Sequence, residues 1–318
     1  MTAIPGLTKI WSYLTAPSYP RTALSISETE LVLISLKRQR RQFEPTHLAM
    51  LRLPAGVVRA DFNELNINDE SELVRQSEKL IAQAGISRLR RLAVALPEGS
   101  ARSLIVSLDS VPAGRTELTQ MLSWRVERSF GCKSSDVRIT LRHLDLQKDQ
   151  VHWLATVVRN HVIDQYETFF RQLGLQVGLI LPAHLAQAQW LARAGIAEDQ
   201  VMLSLNDRGF VAVIVRGNQP VLVREVFCAD AERDDEFYRL MIFYRDRMAS
   251  ENSSTNLNRL LVLGSAEDQQ RFRRVLANAL EAPVTMLEPN LLGLHLSSPA
   301  PFSTFAAAAG LSTFSWGT

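Results

Sequence analysis

The chain has 318 residues, 21% of them charged and 46% apolar, with a net charge of +2. That length suits two domains or one large bilobed fold, and the composition excludes a disordered or fibrous protein. Near-neutral charge supplies no overall field for nucleic acid or a membrane surface. Cys132 and Cys228, the two cysteines, are far apart and in no motif, which argues for a reducing compartment and against a cysteine metal site.

In chain order, "MTAIPGLTKIWSYL" lacks the basic start of a secretory signal. Residues 1–21 read as an N-terminal arm, either packed locally or using Ile10, Trp11 and Leu14 as a short contact for a membrane or partner. No apolar run approaches the about 20 residues needed to span a bilayer, so the expected location is cytoplasmic. Paired strands follow over 22–56, around a basic tip at 37–41. That tip reads by default as a solvated hairpin end, with anionic lipid or an acidic partner as the alternative; for nucleic acid, Phe43 is the one stacking aromatic nearby. "INDESELVRQSEKLIAQAG" predicts a helix capped by Asp69 or Ser71, with Leu73, Leu80 and Ile81 inward and Gly85 ending it.

Residues 92–174 then predict strand, strand, helix, strand, strand, helix, an α+β module. Its first helix opens at Thr116 and stops at Gly131; its second hairpin turns at 147–150; its second helix ends at Gly174. "LQVGLILPAHLAQAQWLARAG" reads as a strand, a junction at Pro182 and a helix. "VMLSLNDRGFVAVIVRGNQPVLVREV" reads as three strands joined by turns at Asn206, Asp207, Arg208, Gly209 and at Arg216, Gly217, Asn218. A helix over 230–248, a polar loop "NSSTN", a strand "LNRLLVLGS", a helix, a strand "VTMLEP" and a small-residue helix "FSTFAAAAGLS" complete the chain. The second half repeats the layout of the first, which suggests a duplicated α/β fold of the actin-like (ASKHA) type, bilobed, with the α+β module inserted in the first half.

Several stretches in order, "AVALPEGSARSLIVSLDSVPAGRTELTQMLSWRVERSF", "WLATVVRNHVIDQYETFFRQLGLQVGLILPAHLAQAQWL", "VRGNQPVLVREV" and "FAAAAGL", resemble the PilM family, the actin-like cytoplasmic protein of type IV pilus assembly. The resemblance runs from residue 22 onward and makes this chain a divergent member. It implies a first lobe over 22–180 carrying an SHS2-like module at about 92–174, a second lobe over 181–294, and a C-terminal helix over 295–318 returning to the first lobe.

Actin-like ATPases place nucleotide between two Asp-x-Gly loops, where glycine admits the phosphates and Asp handles metal or water. Here the first loop carries Ser25 at the Asp position and Ser27 at the Gly position, followed by Glu28, Thr29 and Glu30. The second carries Ser204 and Asn206, with Phe210 at a position for Thr or Ser. The adenosine-side glycine run is reduced to Gly264, Ser265 and Ala266. Loss of both Asp and both Gly residues predicts a pseudo-ATPase without catalytic residues or cofactor, able at most to hold ATP without turnover.

Other chemistry has little support. His143 and His152 flank the 147–150 turn with Asp145 facing His152, a surface hydrogen bond and not a metal site; His47, His161, His184 and His295 are scattered. Asp234, Asp235 and Glu236 open a helix, which favours a dipole role over paired-carboxylate catalysis. No Gly-x-Ser-x-Gly elbow is present.

The resemblance implies a cytoplasmic scaffold, peripheral to the inner membrane through its partners and without nucleic acid. It would bind the N-terminal cytoplasmic peptide of a PilN-like single-span protein, and other platform proteins, in a groove between first lobe and module. Leu122, Trp124, Arg125 and Phe130 are the candidate groove residues; alternatively Leu122 and Phe130 are core. Two other functions stand beside this one: an actin-like ATP-binding protein or ATPase, and a GspL-like cytoplasmic domain of type II secretion.

Overall fold

A computed structural model describes residues 18–40, 42–86, 88–108, 114–146, 151–248, 257–295 and 300–316. The expectations for residues 1–17, the 147–150 turn and the "NSSTN" loop lie outside the described residues.

The chain opens with an antiparallel meander, β1 (Thr22–Ile26), β2 (Glu30–Gln39) and β3 (Gln42–Arg52). In β2 the run from Leu31 to Leu36 is buried without alternation, because both faces of this sheet are covered. Helix α1 (Glu70–Gln83) follows; of its two candidate caps it uses Asp69, whose carboxylate accepts the Glu72 amide at 2.9 Å. Strand β4 (Arg91–Leu96) then pairs parallel to β1. After an excursion, α3 (Asn160–Gln172) leads to β8 (Gln176–Pro182), parallel to β4, and to α4 (Ala183–Ala194). The first sheet has the order β3-β2-β1-β4-β8.

The second half repeats this plan. The meander β9 (Asp199–Asn206), β10 (Gly209–Arg216) and β11 (Gln219–Phe227) is followed by α5 (Arg233–Phe243), β12 (Arg259–Leu263), α6 (Ala266–Leu280), β13 (Thr285–Met286) and α7 (Phe302–Thr313). Its sheet order, β11-β10-β9-β12-β13, matches the first strand for strand. Helices α1, α3 and α4 therefore correspond to α5, α6 and α7. The helix expected over 230–248 is divided: a 3-10 turn precedes α5 and a π-helical turn, Tyr244–Met248, ends it.

Four apolar clusters account for the packing. One side of the first sheet packs on α1 and α3, and one side of the second sheet on α5 and α6. The inner faces of both sheets share one core built around α4 and α7. These helices meet closely because Gly310 has no side chain: a Cβ there would lie 2.0 Å from the Ala186 carbonyl oxygen. Trp190 Nε1 donates to the Ala306 carbonyl at 3.0 Å, and Ser312 Oγ accepts the Leu36 amide at 3.1 Å, tying α7 to α4 and to β2.

The fourth cluster is the inserted module, smaller than residues 92–174. It consists of β5 (Arg102–Leu108), α2 (Arg115–Phe130), β6 (Val137–Leu144) and β7 (Val151–Arg159), with sheet order β5-β7-β6. The strand at 91–96 belongs to the first sheet, and α3 buries Val162, Tyr166 and Phe169 in the first lobe. Local pattern alone treats β4 and β5 as neighbours; their partner strands separate them. Helix α2 begins after Gly114 with no side-chain cap, so Thr116 is inside the helix.

Candidate functional site

The three loop elements singled out in the sequence come together. Ser25, Ser27, Ser204, Asn206 and Gly264 all line one cleft of about 440 Å³ between the lobes. Phe210 does not join them. It is fully buried behind β10, its ring 6.0 Å from that of Phe237. Strand alternation accounts for this: residues next to one another in β10 face opposite sides of the sheet.

Both loops of this cleft are closed by their own side chains. In the first loop, Ser27 Oγ accepts the amides of Glu30 at 2.9 Å and Thr29 at 3.3 Å, so the loop closes on its own side chain. In the second, Asn206 Oδ1 accepts the Arg208 amide at 2.9 Å. The Thr29, Glu30 and Arg208 amides are thus already engaged. Glu28, Glu30, Glu98, Asp207 and Glu225 line the same space, together with the cation Arg208. The N-termini of α4 and α7 also open onto it, but each supplies only about half a positive charge, which these carboxylates outweigh. Burial pushes the Glu225 carboxyl above its ordinary value, helped by Glu98, and burial does the same to Glu30. Gly264 keeps a packing role, since a Cβ there would lie 2.8 Å from Leu205 Cδ1.

Sequence scatter concealed one polar link in the cleft. His184, 3% exposed, pairs its Nδ1 with Glu98 Oε2 and its Nε2 with Ser103 Oγ, each at 2.9 Å. In the module hairpin, Asp145 pairs with His143 at 3.3 Å, while His152 turns inward to Ser107 Oγ at 2.9 Å. The expected facing of Asp145 and His152 is therefore replaced, because the register sets His152 opposite Leu144. Among the described residues, no group of three or more His, Cys, Asp or Glu is placed to hold a metal ion, and no helix is long and apolar enough to cross a membrane.

A second concavity separates the module from the first lobe. Its upper part, about 290 Å³, is lined by Arg138, Thr140, Thr156 and Val158 of the module and by residues 177–182 of β8. A more apolar part of about 250 Å³ adjoins it, sharing Thr140, Thr156, Leu179 and Leu181. There Leu154, Leu185, Ala188, Val215, Pro220 and Phe314 bring in α4 and the second lobe. Among the described residues, β8 pairs only with β4 and β6 only with β7, so each is the outer strand of its sheet. One end is bridged by Arg138, which bonds Glu167 and lies 3.2 Å from Asp164 of α3.

None of the four residues expected in the groove lines it. Leu122, 1% exposed, packs in the module core with Val106, Val126 and Val157. Phe130 sits at the junction with the first lobe, its ring 6.0 Å from that of Phe62. Trp124 is 54% exposed on the outer side of α2, with the Arg125 and Arg128 guanidinium carbons 5.9 and 5.5 Å from its ring. Helix α2 covers the sheet face carrying Ala155 and Val157, whereas the groove uses Thr156 and Val158 on the other face. The available signal was the half-buried alternation of "VRITLRHL" beside the apolar run "QVGLILP".

Two copies of one βββαβαβα unit around a shared cleft define an actin-like, bilobed α/β fold. Comparison with solved structures agrees. A chain of the PilM-PilN type IV pilus biogenesis complex superposes with a TM-score of 0.74 over 94% of this chain and 99% of that one, at 16% identity. The chain is thus PilM-like in structure. A Bacteroides thetaiotaomicron protein with an actin-like ATPase fold gives 0.50 at 9% identity, covering 90% and 95% of the two chains. The cytoplasmic domain of EpsL, an inner-membrane component of the Vibrio cholerae type II secretion system, gives 0.46 at 12% identity over 93% of each chain. No protein-family model matches the sequence, and no curated protein matches it.

Proposed function

We propose that this chain is a non-catalytic cytoplasmic scaffold of a type IV pilus or related secretion-like assembly platform. Its groove between module and first lobe takes the extended N-terminal cytoplasmic segment of a PilN-like single-span inner-membrane protein. Through that partner and other platform proteins it sits at the inner membrane. The observation that carries this reading is a groove walled by two outer strands, in a chain whose fold matches a member of the PilM-PilN complex end to end. Outer strands offer main-chain groups to an extended segment, and Leu179, Leu181 and Leu154 offer apolar contact. Nucleotide turnover has no support from the cleft: its loop amides are engaged and its lining is acidic.

The test is titration of synthetic cytoplasmic tails of single-span inner-membrane proteins from the same genome against the wild type and Leu181→Asp. One tail should bind the wild type and weaken at least about tenfold in the variant. If no tail binds, or a bound tail ignores Leu181→Asp, the groove reading fails.

A further inference from the structure

The gap between the two lobes is bridged by a side chain of the protein itself. Arg208, in the β9–β10 turn of the second lobe, reaches to the first lobe. Its Nη2 donates to Glu28 Oε1 at 3.2 Å and to the Ala60 carbonyl, and its Nη1 lies 3.8 Å from Asp61 Oδ2. Glu28 is itself held by the Ala60 amide at 2.8 Å. The base of the arm is equally fixed: the Arg208 amide donates to Asn206 Oδ1, and its carbonyl accepts the Cys228 amide at 3.0 Å.

Other contacts tie the same hairpin sheet to the first half of the chain. Arg102 of β5 lies 3.9 Å from Glu225 of β11, and Gln219 Oε1 accepts the Asp145 amide at 2.7 Å. The β10–β11 hairpin is therefore anchored near Arg208 at one end and at Gln219 at the other. The Gln219 end carries Val215, Asn218 and Pro220, which form the second-lobe wall of the groove. A single exposed ion pair is worth little. Here, however, one guanidinium fork meets a carbonyl and two carboxylates on another lobe, a geometry that fixes direction as well as distance.

We propose that Arg208 is a positioning residue: it replaces with an internal cation the bridge that a nucleotide spanning both loops would provide. By holding the hairpin, it sets the second-lobe wall of the groove. The second half of this proposal rests on the groove being a peptide site; the first half does not.

Hydrogen exchange followed by mass spectrometry on the full chain tests it without any ligand. Arg208→Ala should speed exchange about tenfold in residues 25–30 and 57–62, and also in 215–222, with α5 unchanged as a control for global unfolding. Arg208→Lys, which keeps a donor and a charge, should restore much of the protection, and Asp207→Ala on the same turn should match wild type. Unchanged exchange in 25–30 would overturn the latch, and a change confined to the cleft would overturn its link to the groove. Failure of every tail peptide to bind wild type would instead sink the groove reading and leave the exchange result standing.

Discussion

Asp199 is the most demanding single residue in the second lobe. It is fully buried, accepts Arg216 Nε at 2.8 Å and Nη2 at 2.9 Å, and also accepts the Tyr244 hydroxyl. Removing one partner of a buried pair strands the other, so Asp199→Ala is expected to cost about 3–5 kcal/mol, measured by urea denaturation. Glu225 presents the opposite case, a carboxyl held above its ordinary 4.5 by burial and by Glu98. Between 4.5 and its raised value the folded state binds more protons than the unfolded chain, so this residue's contribution to stability falls as pH rises through that window. Glu225→Gln should therefore be more stable than wild type at pH 7 and lose that advantage below pH about 4.5. A stability difference that does not vary with pH would contradict this assignment.

At the scale of elements, α2 separates residues that share a helix but not an environment. Leu122 faces the module sheet and Trp124 faces away from it. Leu122→Ala should cost about 2–5 kcal/mol in equilibrium unfolding through lost burial and a cavity. Trp124→Ala should stay within about 0.5 kcal/mol. Comparable losses for both would mean that Trp124 is packed. The helix pair α4 and α7 works differently: small residues bring backbones together, and the two lobes share one core across them.

For the whole molecule, the consequence of the duplicated plan is a cleft between two related sheets. The inner faces of the two related sheets pack on α4 and α7, and the cleft opens where their loops face each other. Saturating Mg-ATP is expected to leave the melting temperature unchanged. A ligand at about 100 times its Kd would add about 2.7 kcal/mol, a shift easily seen by differential scanning fluorimetry. A clear upward shift, with or without turnover, would show that the loops accept nucleotide despite their closed amides.

Much of this architecture is written locally. The unbroken apolar runs of β2 and β10 and the small residues of α7 each follow from short-range physics, and their order along the chain declared the duplication. The polar character of Ser25, Ser27, Ser204 and Asn206 was equally legible, because a residue's chemistry needs no neighbours to be read. Tertiary structure alone decided the rest. Whether the strand at 91–96 belonged to the module or the first sheet depended on which edge it met, since β4 and β5 carry similar local patterns. The groove lies where β8, β6 and α4 converge, and Arg208 finds Glu28 across 180 positions. Hydrophobic period fixes which face of an element is buried, but only the packed fold determines which faces and edges look at each other.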